Sequence, residues 1–165
     1  MKKILVLILI VVMAAGLLSC NGIFDEILGG ILGEKGDVSI VIENRDGTYD
    51  VYKAYLEDVE NKDEGVYGVI QHIMAREKNP LEADIVDSTY GAYINSIGSL
   101  IPETSDEYME YVSIYTSLEK DFGTWDGAGE IDYEGTTLKA SGVGLTSMSA
   151  EAGTIVLFRI ETYAS

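Results

Sequence analysis

The sequence is poor in the residues that most often carry chemistry. It has one Cys, Cys20, and one His, His72. A single thiol excludes an intramolecular disulfide framework and a cysteine-rich zinc site. A single imidazole removes the usual pair of transition-metal ligands and the commonest general base. Cations are scarce too: 11 Lys and Arg stand against 28 Asp and Glu, a formal charge of −17. That balance excludes nucleic acid as a partner, because such affinity comes mainly from neutralising phosphates. It also excludes attachment to anionic lipid through a basic patch. Catalytic motifs are missing: there is no Gly-x-Ser-x-Gly elbow, no His-Glu-x-x-His and no phosphate loop. Gly127-Ala128-Gly129 lacks the third glycine and the preceding strand of a dinucleotide fingerprint. The acidic stretches Asp121–Gly127 and Glu103–Glu110 lack the alternating ligands and distal Glu of an EF-hand, and read as solvated faces. The expectation is a protein that is not an enzyme and needs no metal or cofactor.

What the chain has in quantity is apolar surface, 47% of its 165 residues, enough for one packed domain. Part of that surface is a leader. Lys2 and Lys3 precede an unbroken run of 15 apolar or Gly residues from Ile4 to Leu18. As a helix the run would be about 22 Å long, short of a hydrocarbon core of about 30 Å. A cleaved h-region fits better than a permanent span. Leu17-Leu18-Ser19-Cys20 then resembles a bacterial lipobox, with Leu at −3, a small residue at −1 and Cys at +1. The resemblance implies that residues 1–19 are a lipoprotein signal peptide. It implies that Cys20 is acylated, carrying palmitate-type chains that hold the mature protein in the lipid bilayer. The other reading of Cys20 is a buried thiol behind a plain secretory leader. Each buried CH₂ is worth about 0.8 kcal/mol, so two or more chains anchor a small protein nearly permanently. Losing Lys2 and Lys3 makes the mature chain more acidic still. The expected location is extracytoplasmic and lipid-anchored. Asn21 in place of Asp at +2 permits delivery to an outer membrane where the cell has one.

Residues 20–36 form the lipidated N-terminus and a tether. Ile23, Phe24, Ile27, Leu28, Ile31 and Leu32 recur at helical spacing, while Gly22, Gly29, Gly30 and Gly33 weaken a helix. An interfacial helix and a flexible spacer are both open.

The folded domain is expected over 37–165. Val38, Ile40 and Ile42 alternate with Ser39, Val41 and Glu43, the pattern of a half-buried strand. Asp46-Gly47 supplies a hairpin turn, and Tyr49 to Leu56 reads as the returning strand. Asp63 is placed to cap a helix whose Val66, Val69, Ile70, Ile73 and Met74 form one apolar stripe, stopped by Asn79-Pro80. His72 lies off the stripe, a partly exposed structural residue. Further strands are expected at Ala83–Asp87, Gly91–Ser96, Tyr108–Ser117 and Thr154–Tyr163. Glycines 123, 127, 129, 135, 142 and 144 punctuate the stretches between as loops. The order gives an α+β fold, a mixed sheet with one main helix packed across it.

Several blocks carry a family likeness. They are Gly65-Val66-Tyr67-Gly68-Val69-Ile70, Ser88-Thr89-Tyr90-Gly91-Ala92-Tyr93-Ile94-Asn95, Tyr111-Val112-Ser113-Ile114-Tyr115 and Val143-Gly144-Leu145-Thr146-Ser147-Met148. Together they resemble a bacterial domain family of unknown function similar to the C-terminal domain of transcobalamin, over about Asp37 to Tyr163. The resemblance implies a β-grasp-like fold. By analogy alone it implies a small ligand outside the cell, a corrin-like one included.

Aromatics supply the candidate site. There are 11 Tyr against three Phe and one Trp. On the strand from Tyr108, Val112 and Ile114 share a core-like face, while Tyr111, Ser113 and Tyr115 share the other. Such a face offers rings to stack and hydroxyls to bond, and Tyr90, Tyr93 and Trp125 are candidates to extend it. Ordinary cross-strand aromatic pairing explains the same residues without a ligand. The leading function is recognition of a small molecule or a short extended ligand at the cell surface. The alternative is a surface module that binds another protein or is structural, with no small-molecule ligand, offering a sheet edge for strand addition.

Overall fold

The computed structural model describes residues 36–88 and 91–164. The leader, Cys20, the tether up to residue 35 and Tyr90 lie outside the described residues. Among the described residues eight strands and one α-helix follow the order β1 (Val38–Glu43), β2 (Tyr49–Ala54), α1 (Gly65–Met74), β3 (Ala83–Ser88), β4 (Gly91–Ile97), β5 (Tyr108–Thr116), β6 (Glu130–Tyr133), β7 (Thr136–Ala140) and β8 (Ile155–Ala164). The fold is mixed α/β, mostly sheet with one main helix. β3 and β4 pair as a separate two-stranded sheet, and the others form a six-stranded sheet in the order β2-β1-β8-β5-β7-β6.

The alternation in β1 and β8 places them at the centre. Val38, Ile40, Ile42, Val156 and Phe158 are fully buried together with Val66, Val69, Ile70 and Ile73 of α1. The helix thus lays its apolar stripe on one face of the sheet. β1 and β8 run parallel, with Ile40 opposite Val156 and Ile42 opposite Phe158, whereas every other pair in the sheet is antiparallel. Parallel neighbours cannot be joined by a tight turn, so the helix, the small sheet and β5–β7 all lie between them in the chain.

The opposite face holds a second cluster. Val41 and Leu157 are buried there with Tyr115, Tyr133, Leu138 and Ala140. What covers them is the β6–β7 hairpin, which rolls over the face until Tyr133 on one edge strand meets Tyr49 on the other. Their ring centroids are 5.1 Å apart at 75°, an edge-to-face contact. The sheet is therefore rolled so that its first and last strands touch.

Three local expectations change. The stretch before β8 is more than loop, since β6 and β7 close a hairpin through Glu134 and Gly135, both at positive φ (50° and 80°). That is the backbone of a two-residue primed turn, and Glu-Gly signals it less clearly than Asn-Gly. β2 stops at Ala54, because the Leu56 N–H donates to the Asp37 carboxylate at 2.8 Å and Leu56–Asp58 turns as 3-10 helix. Asp63 does not cap α1. It sits inside a 3-10 turn over Lys62–Glu64, and the Val66 N–H donates instead to the Met148 carbonyl at 3.1 Å. A distant backbone oxygen has taken a donor that a capping side chain would satisfy.

The β1–β2 turn reaches back to the sheet. Arg45 donates to both carboxylate oxygens of Glu110 on β5, at 2.9 and 2.5 Å, and to the Ile101 carbonyl at 3.0 Å. The Glu103 N–H adds a third bond to Glu110 at 2.8 Å. These bonds hold the Glu110 carboxyl down at about 2, the Arg45 hydrogen bond contributing most.

Candidate functional site

Antiparallel pairing sets Tyr111 opposite Glu161 and Ser113 opposite Arg159 across β5 and β8. Odd-numbered residues of both strands therefore share the face over which the hairpin rolls. Where the roll ends, a groove of about 470 Å³ opens, lined by Tyr111, Ser113, Tyr115, Trp125 and Glu161, with Val112 and Ile114 at its strand edge. The mouth of a rolled sheet is a common place for a ligand site.

Glu161 organises the groove. The Tyr115 hydroxyl donates to one carboxylate oxygen at 2.5 Å and the Tyr111 hydroxyl to the other at 3.1 Å. Burial and the adjacent carboxylate push the Tyr115 hydroxyl up to about 12, and raise that of Tyr111 for the same two reasons in the same order. Both phenols therefore stay protonated donors at neutral pH. Arg159 turns aside to Glu43, at 3.4 Å. Among the described residues Glu161 is the single carboxylate lining the groove, and no Lys or Arg lines it.

Two glycines make room for the rings. A Cβ at Gly129 would stand 2.5 Å from the Tyr115 hydroxyl oxygen, and one at Gly123 would lie within 2.0 Å of the Trp125 ring. Neither position leaves space for a side chain, and so the aromatic rings lie directly against backbone.

Four of the six aromatic-face candidates come together here: Tyr111, Ser113, Tyr115 and Trp125. They differ sharply in exposure. Tyr111 is 39% exposed and Trp125 54%, but Tyr115 is 4% exposed, its ring packed in the second cluster. The expectation of an open face at both tyrosines is corrected for Tyr115. The rolled hairpin covers its ring and leaves its hydroxyl at the groove. Tyr93 is exposed at 61% on β4, in the separate small sheet opposite Val86, and does not line the groove. Tyr90 lies outside the described residues.

Glu161 was not among the residues singled out from sequence, although alternation along β8 puts it on the face of Arg159. Only the register shows that it meets Tyr111. One ladder step further on the same face, Met109 opposes Tyr163, and both are at least half exposed. Among the described residues no three His, Cys, Asp or Glu gather as a metal cluster, and no helix is long and apolar enough to cross a membrane.

No family model matches the chain, and no curated protein matches it. Among solved structures it is similar to a "putative metal binding protein" from Ruminococcus gnavus ATCC 29149. The identity is 11%, over 77% of this chain and 97% of that one, with a TM-score of 0.48. A likeness that distant says nothing about what this chain binds.

Proposed function

We propose that this chain is a lipid-anchored, extracytoplasmic binding protein whose groove takes a small molecule or a short extended ligand at the cell surface, without catalysis. The observation that carries the binding half is the groove itself: three aromatic side chains around one carboxylate, with both phenols held as donors. Such mixed apolar and directional lining is what ligand sites use to combine affinity with orientation. The anchoring half rests on the lipobox-like Leu17-Leu18-Ser19-Cys20 after its apolar run. The resemblance to the transcobalamin C-terminal family, and the β-grasp-like fold it implies, is part of the same reading. A hairpin, a helix, and a last strand set parallel beside the first support it.

Each half has its own test. Radiolabelled fatty acid should enter the wild-type chain and fail to enter Cys20→Ser; equal labelling of both refutes the anchor. For the groove, Trp125 is the only Trp in the sequence, so indole emission reports from the site alone. Titration with aromatic, cationic and sugar-like small molecules should give a saturable emission change in at least one class. Tyr111→Ala should weaken that response while the melting temperature falls by no more than about 5 °C. A silent indole across all classes, and with short peptides, refutes the binding reading.

A further inference from the structure

The groove has a backbone side as well as an aromatic one. On one edge β5 pairs with β8 along its whole length, from Tyr108 to Thr116. On its other edge it pairs with β7 only at Tyr115 and Thr116. Three further bonds leave β5 on that edge, the first from the Ser105 N–H to the Tyr108 carbonyl at 2.9 Å. The Glu110 N–H donates to the Glu103 carbonyl at 2.9 Å, and the Ile114 carbonyl accepts from the Ser141 N–H at 2.8 Å. Backbone groups alternate between the two edges of a strand, so Val112, midway between these residues, directs its N–H and C=O the same way. Among the described residues neither group is bonded on that edge. Val112 and Ile114 line the groove there. An unpaired mid-strand N–H and C=O beside a groove form a template for one more strand.

We infer that the groove takes a short extended peptide carrying a Lys or Arg, its backbone added to the open edge of β5 at Val112 and its cation turned toward Glu161. This rests on the binding reading above and names the ligand class. Charge complementarity selects the peptide's chemistry. Among the described residues Glu161 is the one charged side chain lining the groove, ringed by Tyr111, Tyr115 and Trp125, and aromatic faces attract cations as the carboxylate does. A formal charge of −17 over the chain draws basic segments in and turns acidic ones away. Geometry allows both contacts at once. An added strand lies about 5 Å from β5, and the long stem of Lys or Arg carries its charge back across that strand. The open window runs only from Tyr111 to Ser113, which suits a short stretch of peptide and excludes a long strand.

The test uses the full chain and Trp125 emission. The probe is a short capped peptide of alternating Val and Thr with one central Lys. It should bind saturably, and replacing its Lys by Glu should abolish binding. Glu161→Gln should weaken it about tenfold or more, by loss of a charge-assisted bond. Val112→Pro removes the outward N–H without touching the β8 ladder, and Pro is tolerated where the strand N–H faces outward. It too should weaken binding about tenfold. The same peptide N-methylated next to the Lys gives an independent readout on unaltered protein, and should also bind weakly. Binding that survives both N-methylation and Val112→Pro overturns the strand addition. A lysine amide binding as tightly as the peptide also overturns it, while the amine-binding groove would stand. If neither peptide, amine nor any other small molecule changes the indole, the binding reading itself fails.

Discussion

Tyr115 offers the sharpest test of how this sheet is built. Its ring lies in the second cluster beneath the β6–β7 hairpin, 4% exposed, while Tyr111 two residues earlier on the same face is 39% exposed. An aromatic side chain buries about 150–250 Å², and at about 25 cal/mol per Å² that is an upper bound of about 4–6 kcal/mol. Truncation to Ala keeps part of that and leaves a cavity, so Tyr115→Ala should cost about 3–5 kcal/mol. With a urea slope of about 2 kcal/mol per M, the midpoint should fall by about 1.5–2.5 M. Tyr115→Phe separates the ring from the hydroxyl. It keeps the packing and removes one bond to Glu161, which retains Tyr111 as a donor, for a cost of about 1 kcal/mol. Tyr111→Ala should change stability by only about 0.5–1 kcal/mol. Urea titration of all three by far-ultraviolet circular dichroism decides the matter. If Tyr115→Ala moves the midpoint no further than Tyr111→Ala, the hairpin does not cover that face and the rolled sheet is wrong.

Phe158 is fully buried against α1, so Phe158→Ala should lose about 3–5 kcal/mol, whereas Arg159→Ala on the opposite face breaks a loose ion pair and should lose less than about 1 kcal/mol. Equal shifts in denaturant midpoint would reverse the assigned faces of β8. Gly68→Ala should destabilise the protein even though Ala favours a helix by about 1 kcal/mol. The new Cβ would lie 2.1 Å from the Asn61 carbonyl oxygen, and a raised melting temperature would contradict that close approach. Glu110 is held at about 2 in the folded chain against an ordinary 4.5, so its stabilising bonds to Arg45 are fully present above about 4.5 and are lost as pH falls toward about 2. The stability gap between wild type and Glu110→Gln should close over that acid window; a gap that stays constant would place Arg45 elsewhere.

Much of the fold follows from patterns within a few residues of one another. The alternation of Val38, Ile40 and Ile42, the turn at Asp46-Gly47 and the stripe from Val66 to Ile73 each specify an element by local geometry. The same holds for Val156, Phe158 and Ile160, which is why β8 is legible along nearly its whole length. The leader is expected on local chemistry of the same kind, a positive start, an apolar run and a Cys at its end. In each case the side chain's role depends on its own strand or helix period, which the sequence states directly.

Tyr115, Glu161 and Val112 depend on something else. Alternation puts Tyr115 beside Tyr111 on one face, yet burial comes from β6 and β7, which roll over until Tyr133 touches Tyr49 from the far edge. Glu161 becomes the centre of the groove because register sets it against Tyr111, a pairing 50 residues apart. The open edge at Val112 exists because β7 leaves β5 after Tyr115 and Thr116. Roll, register and the point where two strands part are set by the packing of whole elements against each other. No period within a single strand encodes them, and so the sequence alone determined the helix and every strand but the short β6 and β7, while the tertiary structure decided which residues meet at the groove.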